Sequence, residues 1–313
     1  MVFFNSIGSI FTIIIIIGAG YILTRVGWFN ESTGSLFSRM VLNISLPCYL
    51  LYNITSTFER DELIGMAGNL ATPVISIGVS YILSIAASYI LRVDRSRRGV
   101  YRSMFFASNA MFIGLPVNIA LFGEESVPYV LLYYLANTSI YWTIGVYEIS
   151  GDNPETRRKL LSAGSIRRVF NPAICCFLAG VAIVLAGFEL PKFIHDSLKY
   201  IGNMTTPLAM FFTGIALHSV KWDGIRVNKD MISLVIARSV ICPVLIMLLN
   251  RVFLVPEMMG AVFVIQAAMP VITSTSVVAK VYGSDYKFAA VMSAVTTATS
   301  LVVIPFYMWF MGR

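Results

Sequence analysis

The sequence predicts an all-α membrane protein: ten transmembrane helices arranged as two inverted five-helix repeats, with both termini outside. Three observations predict it. The chain of 313 residues is 57% hydrophobic and only 12% charged, about half the charge of a soluble domain. Ten apolar stretches, each near the roughly 20 residues a bilayer crossing needs, follow one another with short connections. Finally, two strings recur in one register, 160 positions apart: Asn43-Ile-Ser-Leu-Pro47 with Asn203-Met-Thr-Thr-Pro207, and Val117-Asn-Ile-Ala-Leu-Phe-Gly123 with Val277-Val-Ala-Lys-Val-Tyr-Gly283. A shared offset with no net insertion indicates two copies of one unit. An odd number of crossings per copy turns the second upside down, the arrangement of secondary transporters.

The stretches are residues 5–24, 36–57, 68–91, 101–122, 126–149, 170–188, 195–219, 231–253, 258–281 and 287–311. The first is followed by nine more, so it is expected to stay in place as a span and not be removed as a signal peptide. The second and seventh carry Pro47 and Pro207, a matched pair of structural kinks. The third ends in a basic run beginning at Arg92. The fourth holds Gly114 and Pro116, the fifth Asn137. A basic linker, 151–169, separates unit 1–150 from unit 170–313. The eighth contains Arg238 mid-span, the ninth Pro270, and the tenth ends near Pro305. Cys48, Cys175, Cys176 and Cys242 lie in apolar runs without metal-ligand spacing and read as small core hydrophobes. Trp28 and Trp309, near span ends, fit an interfacial belt.

Charge placement fixes the expected orientation. Of 23 Lys and Arg residues, 17 fall on one side of this layout, among them Arg92, Arg95, Arg97, Arg98 and Arg102 and the linker's Arg157, Arg158, Lys159, Arg167 and Arg168. The other side holds Arg60, Lys192, Lys199, Arg251 and Arg313. The positive-inside rule makes the basic side cytoplasmic. The net charge of +7 is thus a topology signal, not a nucleic-acid footprint; the expected partners are membrane lipids.

Helices in lipid must satisfy their own backbone groups, so interruptions survive where protein or water covers them. The fourth stretch reads Asn109-Ala-Met-Phe-Ile-Gly114-Leu-Pro116, and Gly114 and Pro116 invite a break. The ninth reads Gln266-Ala-Ala-Met-Pro270-Val-Ile-Thr273-Ser274-Thr275-Ser276. Breaks expose helix N-termini, which suit an anion, and a matched pair in inverted copies points to a midplane binding site. Arg238 has two readings: a guanidinium counter-charge for a carboxylate substrate, or an anchor on carbonyls freed by a broken helix. No Asp or Glu lies mid-span, which argues against a transported cation. Neutral groups such as Gln266, Asn109 and the Thr/Ser run leave ion coupling open.

At Asn109-x-x-Phe112-x-Gly114-x-Pro116, at Arg238-x-x-x-x-Pro243 and in the Thr/Ser-rich tenth stretch ending at Pro305, the chain resembles the auxin efflux carrier family. That family includes plant auxin exporters and bacterial malate- or malonate-type permeases, and the resemblance covers essentially the whole chain. It implies that the fourth and ninth helices unwind at prolines and cross at mid-membrane. It also implies a scaffold of helices 1, 2, 6 and 7 and a transport unit of helices 3–5 and 8–10, moving as an elevator, in a homodimer joined through the scaffold. Carried over by position, Pro116 and Pro270 mark the crossover, with Asn109 beside them. The substrate-binding set is then Asn109, Gly114, Pro116, Asn137, Arg238, Gln266, Pro270, Thr273, Ser274 and Thr275. The chain lacks the long central loop of the plant carriers, which argues against loop regulation and a hormone substrate.

The expected function is a secondary transporter of small organic anions, mono- or dicarboxylates such as malate, in a bacterial plasma membrane. An auxin-like weak-acid exporter or an anion channel is the alternative. An enzyme is not expected: His-Glu-x-x-His, Gly-x-Ser-x-Gly and paired embedded Asp residues are all missing. A Walker A loop is missing too, and neither cofactor nor metal is expected.

Overall fold

The computed structural model describes residues 2–57, 68–153, 170–220 and 227–312, with positions 60, 61 and 65 besides, and side chains from residue 11 onward. Most of the 151–169 linker lies outside the described residues. What is described is helical. The elements are α1 (Val2–Arg25), α2 (Glu31–Met40), α3 (Leu46–Thr57), α4 (Ala71–Ile90), α5 (Arg98–Phe106), α6 (Leu115–Phe122), α7 (Val127–Ile140) and α8 (Val146–Ser150). They continue as α9 (Pro172–Leu185), α10 (Lys192–Gly202), α11 (Thr205–His218), α12 (Lys229–Ile236), α13 (Cys242–Val252), α14 (Glu257–Ala268), α15 (Ser274–Val281) and α16 (Tyr286–Phe310). Among the described residues three helices, Gly68–Ile90, Lys229–Val252 and Tyr286–Phe310, are long and apolar enough to cross a bilayer. The protein is therefore membrane-embedded by composition and length.

Local chemistry widens, divides or shortens several of the stretches. Three π-turns, Val41–Ser45, Ala110–Gly114 and Ala237–Ile241, each end two residues before a proline: Pro47, Pro116 and Pro243. Proline has no N–H for the i→i−4 bond and its ring crowds the carbonyl there, so the preceding turn widens instead of breaking. The seventh stretch divides at Asn203–Met204 into an amphipathic α10 and an apolar α11. The sixth is shorter than its apolar run. Asn171 accepts a hydrogen bond from the Ile174 N–H (3.1 Å) and Pro172 occupies the first turn, so cap and proline together fix where α9 starts.

Packing divides the helices into two groups. In the first, α1 lies along α11, α2 on α11, and α3 on α9 and α10. The α1–α11 contact is close enough that a Cβ on Gly214 would sit 2.2 Å from the Ile17 carbonyl oxygen, and one on Gly20 would sit 2.8 Å from that of Phe211. Small residues permit this approach in membrane helices. Gly214→Ala is expected to force the backbones apart and cost about 1–3 kcal/mol, read as a lowered Tm in detergent. An unchanged Tm would mean the helices yield freely.

In the second group, α4 packs on α5, α7 and α13, α13 on α14, and α15 on α16. Gly99–Phe106 of α5 and Met259–Ala268 of α14 are buried on every side, α14 as expected of a helix apolar nearly all round and α5 with the polar groups of Arg102 and Ser103 bonded within the protein. Polar ties bind one end of this group. Arg97 pairs with Asp230 at 2.6 Å. Arg102 pairs with Glu148 at 3.0 Å, and Tyr81 donates to the same carboxylate at 2.5 Å. Asp152 accepts from the Gly99 N–H (2.6 Å), the Val100 N–H (3.2 Å) and the Ser284 hydroxyl (2.6 Å).

Burial raises the Asp152 carboxyl to about 6, against those hydrogen bonds, which pull it down. The folded chain thus keeps this proton where an unfolded Asp, near 3.9, has lost it. The contribution of Asp152 to stability is full below about pH 4, falls as pH rises to about 6, and is flat above. The Tm difference between wild type and Asp152→Asn, followed from pH 4 to 7, is expected to shift against the wild type up to about pH 6 and then level off. A pH-independent difference would mean that Asp152 does not titrate there.

Candidate functional site

The site forms where α5 and α14 stop. Helix α5 ends at Phe106 and Ala107 is extended (φ −92°, ψ 128°). Helix α14 ends at Ala268 and Met269 is likewise extended (φ −60°, ψ 151°). The two unwound segments pair antiparallel, Ser108 opposite Val271, with the Asn109 N–H donating to the Pro270 carbonyl at 2.8 Å. Each break thereby satisfies part of the backbone that the other exposes, as a buried break must.

Side chains complete the pairing. Asn137 of α7 accepts from the Ser108 N–H and donates to the Ser108 carbonyl, both at 2.9 Å. On the other side the Thr296 hydroxyl of α16 accepts from the Val271 N–H at 3.2 Å. Asn109 caps the restarting chain, accepting from the Phe112 N–H (3.2 Å) and donating to the Thr273 hydroxyl (3.2 Å). Gln266 donates to the Ala110 carbonyl at 3.3 Å. Its Oε1 lies 2.4 Å from where a Gly114 Cβ would be, so glycine makes room for the carboxamide.

Arg238 is 2% exposed. Its guanidinium donates to four backbone carbonyls: Met269 (3.1 and 2.8 Å), Ala267 (2.8 Å), Phe105 (3.3 Å) and Phe106 (3.4 Å). Phe105, Phe106 and Ala267 belong to the last turns of α5 and α14 and Met269 to the residue just beyond α14, where carbonyls lack intrahelical partners. Of the two sequence readings, this geometry corresponds to the anchor.

A cavity of about 760 Å³ lies against the paired breaks. Asn109, Asn137 and Ser274 line it, together with Ser108, Tyr134 and Thr138. Asn43, Asn171 and Cys175 close it from the first helical group, and Phe112, Trp142 and Phe170 supply aromatic surface. No Asp, Glu, Lys or Arg is among the lining residues. Asn171 donates to the Tyr134 hydroxyl at 3.3 Å across the two groups.

The remaining predicted residues stand behind the wall. Gly114, Arg238, Gln266, Pro270 and Thr273 shape the breaks, while Thr275 is buried in α15. Pro116 is not at the break: the fourth stretch unwinds at residues 107–109, and Pro116 follows the π-turn at the head of α6. The π-turn absorbs the missing N–H, so the proline marks where the helix restarts. Cys175 is exposed and lines the cavity, in contrast to the core position expected of it; Cys242 is buried. Sequence reasoning missed Ser108, Tyr134, Asn171 and Thr296. Asn171-Pro172 carries a legible cap signal, whereas nothing local distinguishes Tyr134 or Thr296.

The sequence profile of the membrane transport protein family matches residues 5–308. The chain belongs to that family, which is the auxin efflux carrier family its motifs resemble. Among its relatives, an uncharacterised transporter of Methanocaldococcus jannaschii is 24% identical over 304 residues, covering 95% of this chain and 96% of the relative. A Rhizobium meliloti protein named "Putative malonate transporter" is 23% identical over 305 residues, covering 91% and 89%. An uncharacterised transporter of Escherichia coli K12 is 22% identical over 226 residues, covering 69% and 70%. This membrane transport protein is accordingly a transporter, and its family and relatives are those of transporters, not enzymes.

Proposed function

We propose that this chain is a secondary transporter of small organic anions, mono- or dicarboxylates such as malate or malonate, with its substrate site in the cavity beside the paired breaks. The observation that carries the reading is the pairing itself: two interrupted helices meet at a cavity lined by uncharged hydrogen-bonding groups. Amide and hydroxyl donors beside two helix N-termini suit a carboxylate, and the absence of a lining carboxylate disfavours a cation. The relative named for malonate supports the substrate class.

In this proposal ten helices cross the plasma membrane, units 1–150 and 170–313 are inverted repeats, and both termini lie outside. The first packing group (helices 1, 2, 6 and 7 of the ten) is the scaffold, through which two subunits pair. The second group (3–5 and 8–10) moves as one body, its end fastened by the Arg97–Asp230, Arg102–Glu148 and Asp152–Ser284 contacts. Between the groups the surfaces are largely apolar, as where the Phe112 ring sits 4.8 Å from that of Phe212, which permits sliding. Tyr49 and Asn53 of α3 donate to the Glu124 carboxylate, a polar contact that sliding must break. Asn43 and Asn171 adjoin the basic side, so the cavity belongs to an inward-facing state.

Purified protein in liposomes preloaded with unlabelled malonate is expected to take up labelled malonate by saturable counterflow. Linear uptake indifferent to internal malonate would indicate a channel. Absence of malonate movement, with counterflow of another carboxylate, would move the substrate and leave the mechanism.

A further inference from the structure

We propose that Arg238 gives the cavity its preference for anions without touching the substrate, by neutralising the two helix ends that would otherwise cancel the charge of the other two. The paired breaks bring four helix ends together. Helices α5 and α14 arrive with their C-termini, and the chain leaves through the segments beginning at Ala110 and Ser274. Each C-terminus carries about −0.5 of an elementary charge and each N-terminus about +0.5, so the four ends alone sum to roughly zero. The Arg238 guanidinium sits on the C-terminal pair alone, through the carbonyls of Phe105, Phe106, Ala267 and Met269. No carboxylate lies within ion-pair distance of it among the described residues.

The guanidinium therefore offsets the two negative ends and leaves the two positive ones uncompensated. Those ends border the cavity: Asn109, Ala110, Met111 and Ser274 all line it. The balance is about one positive charge, matched to one carboxylate, so a singly charged acid or the singly ionised form of a diacid is the favoured substrate. Cys242, one turn beyond Arg238, also reaches the Phe105 carbonyl at 3.3 Å. It brings no charge, and so marks the hydrogen-bonding part of the task as separable from the electrostatic part.

The inference deepens the reading of this cavity as the substrate site, but its test needs no substrate. Ser274→Cys is placed in a background carrying Cys48→Ser, Cys175→Ser and Cys176→Ser, leaving the buried Cys242. Its modification rates by a sulfonate-bearing and a trimethylammonium-bearing methanethiosulfonate are measured in detergent, each normalised to a free thiol. With Arg238 present the anionic reagent is expected to be favoured by about tenfold or more, taking an effective dielectric near 20 over about 10 Å. Arg238→Lys is expected to keep the preference. Arg238→Met and Arg238→Gln are expected to bring it toward one, in protein that stays monodisperse. A ratio near one in the Arg238 protein itself would overturn the proposal whether or not the variants fold. So would a preference that survives Arg238→Met or Arg238→Gln, since a purely structural role leaves the ratio unmoved. Loss of malonate counterflow with the tenfold preference intact would instead count against the organic-anion reading alone.

Discussion

Asn137→Ala is expected to abolish exchange while the protein still inserts and purifies. The carboxamide supplies both hydrogen bonds to the Ser108 backbone, at 2.9 Å each, and Ser108 is fully buried. Truncation leaves one N–H and one carbonyl without partners in a site shielded from bulk water. Each such group costs about 1–3 kcal/mol, roughly 2–6 kcal/mol for the pair, and even the lower figure is about thirtyfold in the population of the paired geometry. Asn137→Asp separates the two bonds: the carboxylate still accepts from the N–H but cannot donate to the carbonyl. Counterflow should fall in the order wild type, Asp, Ala. Exchange by Asn137→Ala at the wild-type rate would show that the antiparallel pairing holds without its side-chain clamp.

Gly114→Val is expected to be almost as damaging, for the opposite reason. It adds atoms where Gln266 already fills the space, its Oε1 being 2.4 Å from the position of a Cβ. A β-branched side chain cannot swing clear, and interior overpacking costs about 1–3 kcal/mol. The displaced carboxamide also loses its bond to the Ala110 carbonyl. The check is a second-site substitution. Gln266→Ala should restore part of the stability and counterflow lost in Gly114→Val. No rescue would place the glycine requirement in the π-turn backbone and not in the contact with Gln266.

Both predictions rest on residues named from sequence, though for reasons the sequence did not contain. Asn109, Gly114 and the Pro270–Thr275 run stand out because polar, glycine and proline residues inside apolar stretches are costly unless something uses them. What they touch was not legible. Asn137 and Ser108 are 29 positions apart, and Thr296 and Val271 are 25 apart. Such pairs come together only because α7 and α16 pack beside the breaks. Pro116 shows the converse: the missing N–H is certain from sequence, but a neighbouring π-turn accommodated it and the chain unwound at residues 107–109 instead.

Apolar stretches, their lengths and the scarcity of charge in them follow from the residues alone, because desolvation and backbone hydrogen bonding in lipid act locally along the chain. The family follows too, since its Asn, Gly and Pro positions are short-range patterns. Which half-helices meet, where Arg238 directs its donors and which polar groups face the cavity were decided by tertiary structure. A guanidinium can bind a carboxylate or cap a carbonyl with the same five N–H groups. The choice was made by the four carbonyls that α5 and α14 bring within 3.4 Å of it.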